Sequence, residues 1–340
     1  MKKPLYQVII DDILNDIQLG NLKNGDQLPT EHELADRYKV SRITSKRALN
    51  DLETLGYVKR IQGKGSFIQK DDINSTHEIL FVMPFPNAPN FGNYTQGMLK
   101  ALTESPYRLH ILDNESLHKE QHDFSQYAGV ILYPQSSNES MNFIFKLFEG
   151  NIPTILLDKE ISGVPLTSVT PNNVQGGFIA TEHLMKQKCK KIGFVGQKDF
   201  FNISSSRERF IGYLKAFEKQ DDLKPQEAVY FEPLHHFDLE QFIKFDGIVF
   251  ENDILAIQVM NQLLSNNVKI PQDIKLVGFD NSQASELVNP SLSSVAQDFE
   301  SIGFRAMKEL LQEIHYDKKK DVKNIKLDVS LVARDSSRKE

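Results

Sequence analysis

The sequence has few of the features that would place the protein outside the cytoplasm. It contains a single cysteine, no tryptophan, and no apolar run long enough to cross a membrane. Cys189 cannot form a disulfide within the chain, and its neighbours Lys188 and Lys190 predict an exposed turn rather than a buried nucleophile. Because Asp11 and Asp12 interrupt the apolar residues near the N-terminus, we expect no signal peptide, no membrane partner and a cytoplasmic location.

Recognisable catalytic and metal-binding motifs are also missing. The chain has no P-loop, no Gly-x-Ser-x-Gly and no His-Glu-x-x-His sequence. Its nine histidines include His110 and the pair His235 and His236, but none has the spacing from cysteines or carboxylates that a metal site needs. We therefore expect no catalytic residues, no metal and no cofactor, and a protein that is not an enzyme.

The net charge of −6 conceals two parts of opposite sign. Residues 1–70 contain twelve basic and nine acidic side chains, for a net charge of +3, whereas residues 71–340 carry −9. Within residues 37–70 the excess is larger, with nine basic against two acidic residues. A local charge of this kind is suited to binding phosphates, although a solvated protein surface can have the same composition.

The first seventy residues have the pattern of a helix-turn-helix. An apolar residue recurs every fourth position from Leu5 to Ile17, which predicts a helix that packs against a core. Thr30 and Glu33 form a capping box, which predicts a short helix over residues 31–38. After a tight turn, Ser41 is a suitable N-cap for a second helix that ends near Gly56.

The second helix and the segment after it contain the candidate DNA contacts. The first turns of this helix expose cations and hydroxyls, as a recognition helix in the major groove does. Residues 57–68 then predict a β-hairpin whose glycines allow close approach of the backbone to a partner, with a lysine at the tip. The candidate residues are Thr30, His32, Ser41, Arg42, Thr44, Lys46, Arg47, Gln62, Gly63, Lys64 and Gly65.

Residues 5–68 resemble the DNA-binding domain of GntR-type regulators. The matching segments are Leu28-Pro29-Thr30-Glu31-x-Glu33-Leu34-Ala35, Val40-Ser41-Arg42-x-Thr44, Ala48-Leu49-x-x-Leu52, Gly56-Tyr57 and Gln62-Gly63-x-Gly65-x-Phe67. His32 and Lys46 stand where the family commonly has arginine, so the base preference of the family cannot be transferred to this chain. The resemblance implies an N-terminal winged helix-turn-helix over residues 1–70 that binds double-stranded operator DNA.

A polar linker at residues 71–76 is expected to separate this domain from a larger one at residues 77–340. Short apolar runs alternate there with helix-sized segments, which predicts an α/β domain of two doubly wound, parallel sheets that form two lobes. The best helix is predicted over residues 253–266, and residues 325–332 are expected to form a final strand of the second lobe. The predicted strands are residues 79–83, 109–112, 129–133, 154–157, 192–195, 247–250 and 274–279.

Polar side chains follow several of these strands. Asn252 and Asp253 follow one, Asp280 follows another, and Arg207 comes after a Ser-rich loop. Carboxylate, amide and guanidinium groups that meet at the carboxyl ends of parallel strands are suited to a hydroxyl-rich ligand. Asp253 fits the N-cap of its helix equally well, and Arg207 fits a surface ion pair.

The second domain resembles the effector domain of LacI/GalR-type repressors, which have a periplasmic-binding-protein-like fold. The matching segments include Lys191-Ile192-Gly193-Phe194-Val195-Gly196, Arg207-x-x-x-x-Gly212-Tyr213, Asn252-Asp253-x-x-Ala256, Gly278-Phe279-Asp280, Pro290-x-Leu292-x-Ser294-Val295-x-Gln297-Asp298 and Leu331-Val332-x-Arg334-Asp335-Ser336. The resemblance implies that Arg207, Asn252, Asp280 and Gln297 hold the effector, with Phe299 close by and Phe91 in a loop that covers it.

The pairing of a GntR-type reader with a LacI-type sensor resembles the architecture of the arabinose repressors of Gram-positive bacteria. It implies a homodimeric repressor of carbohydrate genes that a small sugar, with L-arabinose as the first candidate, releases from DNA. Another pentose, a hexose, a phosphorylated sugar or a co-repressor remain alternatives. A periplasmic sugar carrier is disfavoured because it would need a signal peptide and no DNA reader.

Overall fold

The protein is described here by a computed structural model. The described residues are 4–18, 21–23, 25–54, 57–61, 63–68, 77–83, 93–113, 123–134, 137–198, 200–218, 220, 222–231, 237–315 and 321–338. The chain divides into two compact units, one of residues 1–77 with 311–320 and one of residues 78–310 with 321–340. The predicted linker at residues 71–76 lies outside the described residues, so the proposed boundary stays a prediction.

The first unit has three helices and an antiparallel hairpin. Its elements are α1 (Leu5–Gln18), α2 (Glu31–Tyr38), α3 (Arg42–Thr54), β1 (Val58–Ile61) and β2 (Gly65–Ile68). The two strands pair from Val58 opposite Ile68 to Ile61 opposite Gly65. The predicted apolar stripe of α1 faces the core from Ile9 onward, with Ile9 and Ile13 buried against α3 residues such as Leu49, whereas Leu5 at its start is 59% exposed. This arrangement is the predicted winged helix-turn-helix.

Helix α2 begins and ends at the predicted residues for local reasons. Thr30 Oγ1 accepts a hydrogen bond from the backbone of Glu33, and the Glu33 carboxylate accepts from the backbone N–H of Thr30. This reciprocal capping box satisfies two N–H groups that have no partner within the helix. The helix ends at Lys39, which takes a left-handed conformation with φ of 50°. Ser45 Oγ then donates to the carbonyl of Glu31 at 2.7 Å and joins α2 to α3.

The second unit contains two six-stranded sheets. The first sheet has the order β13-β7-β6-β5-β3-β4, and all of its strands are parallel. Its strands and their helices are β3 (Glu78–Met83), α4 (Tyr94–Ala101), β4 (Arg108–Asp113), β5 (Gly129–Leu132), α5 (Ser137–Glu149), β6 (Thr154–Leu157), β7 (Thr167–Pro171) and β13 (Asn324–Leu327).

The second sheet has the order β14-β12-β11-β10-β8-β9, with only β14 antiparallel. The remaining elements are α6 (Asn173–Lys186), β8 (Ile192–Gly196), α7 (Ser204–Lys215), β9 (Val229–Tyr230), α8 (Glu240–Ile243), β10 (Gly247–Phe250), α9 (Asp253–Ser265), β11 (Lys275–Asp280), α10 (Gln283–Leu287), β12 (Ser293–Ala296), α11 (Phe299–His315) and β14 (Ser330–Val332). Two parallel sheets in one unit are the predicted fold class.

The predicted final strand over residues 325–332 is wrong. The segment forms two short strands, β13 in the first sheet and β14 in the second. Asp328 interrupts the apolar residues between them, and Val329 is buried in the core of the second sheet. Strands β7 and β12 were not predicted because serines and threonines make up much of them, and their buried hydroxyls are paired, as Ser294 is with Asp253 at 2.6 Å.

Two further sequence expectations are corrected. Cys189 is buried, with 3% of its surface exposed, because Lys188 turns the backbone with φ of 67° and directs the thiol inward. Its Sγ bonds to the carbonyl of Asp246 at 3.3 Å, and burial raises the pKa of the thiol to about 11. The N-cap of α9 is Asn252 rather than Asp253, since Asn252 Oδ1 accepts from the backbone N–H of Leu255.

Glycines allow two pairs of helices in the second unit to cross at backbone contact. A Cβ atom at Gly177 would overlap the carbonyl oxygen of Arg209, and one at Gly212 would overlap that of Val174. Helices α6 and α7 therefore pack closely, and this contact fixes the position of Arg209 on α7 relative to α6. Gly97 and Gly303 permit the same close approach between α4 and α11.

Candidate functional site

The carboxylate of Asp280 is the centre of a cluster of polar side chains in the second unit, which lies at the carboxyl ends of β11 and β12 and is called the cleft below because ligands of parallel α/β sheets bind at such ends. Asp280 ends β11 with φ of 105°, and its neighbour Asn281 also has a positive φ. Gln297, which follows β12, donates from Nε2 to Asp280 Oδ1 at 2.6 Å. The structure therefore brings together two of the predicted effector-binding residues, because their strands are neighbours in the second sheet.

The arginine beside Asp280 is Arg209, whereas the sequence prediction selected Arg207. Arg209 Nη1 lies 3.5 Å from Asp280 Oδ1, and its guanidinium stacks 3.7 Å from the centre of the Phe279 ring. Its Nε donates to Asn173 Oδ1 at 2.9 Å, so its position is fixed from two sides. Arg207 instead donates from Nη1 to the carbonyl of Phe201 at 3.0 Å.

The residues that follow β10 support the cleft. Asn252 uses Oδ1 to cap α9, and its Nδ2 donates to Glu251 Oε1 at 3.4 Å. Asp253 is buried and accepts hydrogen bonds from the backbone of Ser282 at 2.7 Å and from Ser294 Oγ at 2.6 Å. Asp253 thus connects the segment after β11 to β12. Asp280 lies at the end of β11 and Gln297 follows β12, so Asp253 joins the two elements that carry these residues.

The first sheet contributes a second set of polar groups that the sequence prediction missed. Tyr94 donates from its hydroxyl to Asp158 Oδ1 at 2.8 Å, and Lys159 Nζ lies 4.8 Å from the centre of the Tyr133 ring. The predicted residue Phe299 packs edge-on against Tyr94, with ring centres 5.1 Å apart. A signal was present, since Asp158 follows β6 directly. Phe91 lies outside the described residues.

Burial controls the charges in this cleft. It raises the pKa of Asp280 despite the opposing Arg209, and the nearby carboxylates of Asp253 and Asp158 raise it further. Burial also raises the pKa of Glu251 and lowers that of Lys159. Groups from the two sheets approach each other here, since Tyr94, which bonds to Asp158 after β6, also packs against Phe299, which follows β12.

Two acceptor atoms in the cleft region lack partners within the part of the chain that the structure describes. They are Oε1 of Gln297 and Oε2 of Glu251, on side chains that are both more than nine-tenths buried. A buried acceptor without a hydrogen bond is energetically unfavourable. A ligand with several hydroxyl donors would satisfy such atoms.

The first unit presents a basic surface on α3. Thr44 is held by Ser41, whose Oγ accepts from the Thr44 backbone at 3.2 Å, so both hydroxyls lie at the start of the helix. Arg42 is 64% exposed and pairs through Nε with Glu31 at 3.2 Å. Lys46 is exposed, and Arg47 is exposed but stacks 3.9 Å from the centre of the Tyr6 ring.

The remaining predicted DNA contacts lie on α2 and on the hairpin. His32 is exposed in the first turn of α2. Gly63 and Gly65 have φ of 74° and 115°, which side chains rarely adopt, and the exposed Lys64 stands between them. Gln27 Nε2 donates to the carbonyl of Lys64 at 3.0 Å and supports the hairpin tip. Gln62 lies outside the described residues.

An arginine that the sequence prediction did not single out joins the hairpin to both helices. Arg60 Nη2 pairs with Glu31 at 2.6 Å, its Nη1 donates to Asn50, and its backbone N–H donates to Glu53 at 3.0 Å. Burial alone would raise the pKa of Glu31, but the hydrogen bonds from Arg60 and Arg42 outweigh it and lower that pKa. This network fixes the hairpin against the recognition helix.

Comparison with known families agrees with this division. Residues 5–68 match the family of bacterial regulatory proteins named gntR. Residues 181–337, which include Arg209, Asp280 and Gln297, match the periplasmic binding protein-like domain. The chain joins a GntR-type DNA-binding domain to a periplasmic-binding-protein-like domain.

Several proteins to which the chain is similar are regulators by name. The chain is 26% identical to the arabinose metabolism transcriptional repressor of Geobacillus stearothermophilus, across 98% of each protein. It is 27% identical to the ribose operon repressor of Lactococcus lactis, across 76% of this chain and 79% of that one. The solved LacI-type regulator of Alkaliphilus metalliredigens, complexed with D-xylulofuranose, has a TM-score of 0.63 at 24% identity, covering 77% of this chain and all of that one.

The described parts of both domains lack two other features. None of the described helices is long and apolar enough to span a membrane. Among the same residues, no group of three or more histidine, cysteine, aspartate or glutamate side chains is arranged to hold a metal ion. The polar cluster around Asp280 in the periplasmic-binding-protein-like domain and the basic surface of the GntR-type domain are the two candidate sites.

Proposed function

We propose that the protein is a transcriptional repressor that binds operator DNA through its GntR-type domain and leaves it when a small sugar binds the cleft. The observation that carries the proposal is the presence, on one chain, of an exposed basic helix α3 and a polar cleft around Asp280. The names of similar proteins support the same combination of DNA binding and sugar response.

The chemistry of the cleft supports a sugar as effector. Asp280, Gln297 and Glu251 offer acceptor atoms, of which two are buried without partners in the described structure. Arg209, which lies beside Asp280, and Lys159, which follows β6, supply donors. A ring with several hydroxyls both donates and accepts hydrogen bonds, and its apolar faces fit against aromatic side chains.

L-arabinose is the first effector to test. The similar repressor from Geobacillus is named for arabinose metabolism, while the Lactococcus repressor is named for ribose. Another pentose, a hexose or a phosphorylated sugar would use the same donors and acceptors in a different arrangement.

The mechanism that we propose follows from linkage. Two copies of the chain, related by a two-fold axis, would bind a near-palindromic operator with one GntR-type domain on each half-site. A sugar held between groups of both sheets favours one arrangement of the two lobes. If that arrangement binds DNA more weakly, the sugar lowers DNA affinity by the ratio of its own affinities for the two states.

A mobility-shift titration on DNA from upstream of the protein's own gene tests the proposal. We expect binding at low salt, weaker binding as salt rises, and release on addition of L-arabinose or of the sugar that stabilises the protein most in a thermal-shift panel. Failure to bind this DNA at low salt would contradict the repressor assignment. If the sugar instead tightened DNA binding, it would act as a co-repressor rather than as an inducer.

A further inference from the structure

Ile43 on the recognition helix has no role in the protein core. Its exposed fraction is 82%, the highest among the large apolar side chains in the described residues. The buried face of α3 is formed by other positions, including Ser45, Ala48 and Leu52. Ile43 lies opposite them, in the first turn of the helix, so its side chain points to solvent.

The surroundings of Ile43 are basic and polar. Lys46, Arg47 and Asn50 follow it at three, four and seven residues, so they share its face of the helix. Arg42, which precedes it, is 64% exposed. An apolar side chain that met a protein partner would be expected among other apolar residues. A single isoleucine among cations fits a partner that is rich in phosphate and offers an isolated apolar group.

We propose that Ile43 contacts the C5 methyl group of a thymine in the major groove and so determines one base of each operator half-site. This methyl group is the apolar feature by which the major-groove edge of thymine differs from that of the other bases. The β-branched side chain of isoleucine has few rotamers in a helix and therefore presents its methyl groups in a fixed direction. The inference rests on the DNA-binding function proposed above.

Replacement of thymine by uracil tests the contact because it removes only this methyl group. Once the bound sequence is located by footprinting, each thymine is replaced in turn and the Kd is measured with the full-length protein. The wild type should lose about fourfold in affinity at one thymine of each half-site, the effect of burying one methyl-sized group. Ile43→Ala, which loses the contact in both half-sites, should bind the thymine duplex about as weakly as the wild type binds a duplex with uracil at both of these positions, and should not distinguish the two duplexes.

Two further variants serve as controls. Ile43→Val keeps the branched side chain and should retain the preference for thymine. Leu287→Ala removes an apolar side chain that is 78% exposed in the other unit, and it should behave as the wild type on every duplex. The inference is overturned if the wild type binds every uracil duplex as tightly as the thymine duplex. It is also overturned if the Ile43→Ala variant keeps the preference for thymine. If the wild type bound no DNA at all, the proposed function would be refuted instead. This result would be seen before any uracil duplex was used.

Discussion

Arg209 Nη1 lies 3.5 Å from Oδ1 of Asp280, although Arg207 is only two residues earlier on the same helix. Two residues rotate the direction of a side chain by about 200° in an α-helix, so the two arginines point to opposite sides. Arg209 is buried against Phe279, and Arg207 binds the carbonyl of Phe201. Arg209 rather than Arg207 is therefore the arginine that lies in the polar cluster around Asp280.

Exchanging each arginine for lysine separates their roles. Arg209→Lys keeps the charge but loses the planar fork that contacts Asn173, Asp280 and the Glu251 carbonyl. We expect the Kd for the stabilising sugar to rise by roughly tenfold or more, because the charge-assisted contacts that hold this side chain beside Asp280 are lost. Calorimetric titration of the sugar measures this change.

The matched variant Arg207→Lys should alter the Kd for sugar by less than about twofold. Both variants should bind operator DNA as the wild type does when no sugar is present. A larger loss of sugar binding in Arg207→Lys than in Arg209→Lys would contradict the assignment.

Asp280→Asn should make the sugar-free protein more stable at neutral and alkaline pH. Burial raises the pKa of Asp280 from the ordinary 3.8 to about 7, so the folded state holds a proton that the unfolded state has already lost. Stability from this group is therefore present below about pH 4 and falls as pH rises toward 7. Asparagine removes that dependence. Thermal unfolding from pH 4 to pH 8 should show a shallower decline for the variant, together with loss of the sugar-induced shift in Tm.

Glu31→Gln should loosen the GntR-type domain. The carboxylate accepts from both Arg42 and Arg60 and is only 15% exposed, so its replacement weakens two charge-assisted bonds. We expect the free energy of unfolding of this domain to fall by about 1 kcal/mol. Glu182→Gln, which breaks an exposed pair with Lys186, should cost less than about 0.5 kcal/mol. Calorimetry on the full chain measures both, and equal effects would show that the Glu31 network adds no stability.

Gly212→Ala should disturb the cleft from a distance. The added methyl group would overlap the carbonyl oxygen of Val174, so α6 and α7 must separate, and Arg209 moves with α7. We expect a destabilisation of about 2 kcal/mol or more, together with weaker sugar binding. Gly150→Ala meets only the tip of the Ile152 side chain and should be much milder. Tm values and sugar titrations compare the two, and a Gly212→Ala variant with wild-type affinity would contradict the coupling.

The sequence was most informative where local rules decide the structure. The capping box of Thr30 and Glu33 predicted α2 to the residue, and apolar runs located the central strands of both sheets. It was least informative where tertiary contacts decide. Strand β12 is built on serines whose hydroxyls bond to Asp253 and to the C-terminal segment, which periodicity cannot reveal.

The composition of the cleft was only half predicted for a similar reason. Asp280 and Gln297 follow neighbouring strands of one sheet, so the argument from strand ends brought them together. Tyr94 and Asp158 are 64 residues apart and meet only because α4 packs on the same sheet that ends in Asp158. To choose between Arg207 and Arg209, one must know which face of α7 is buried. An error of two residues in the position of that face selects the wrong arginine.

Strands β13 and β14 are separated by only Asp328 and Val329, yet they belong to different sheets. In the order of the described strands, the chain thus passes between the sheets three times, after β7, after β12 and after β13. Neither lobe corresponds to a continuous stretch of sequence. Removing residues after 323 would take an edge strand from both lobes at once, so a single lobe cannot be produced by trimming the chain, and any relative rotation of the lobes must be shared by three connections.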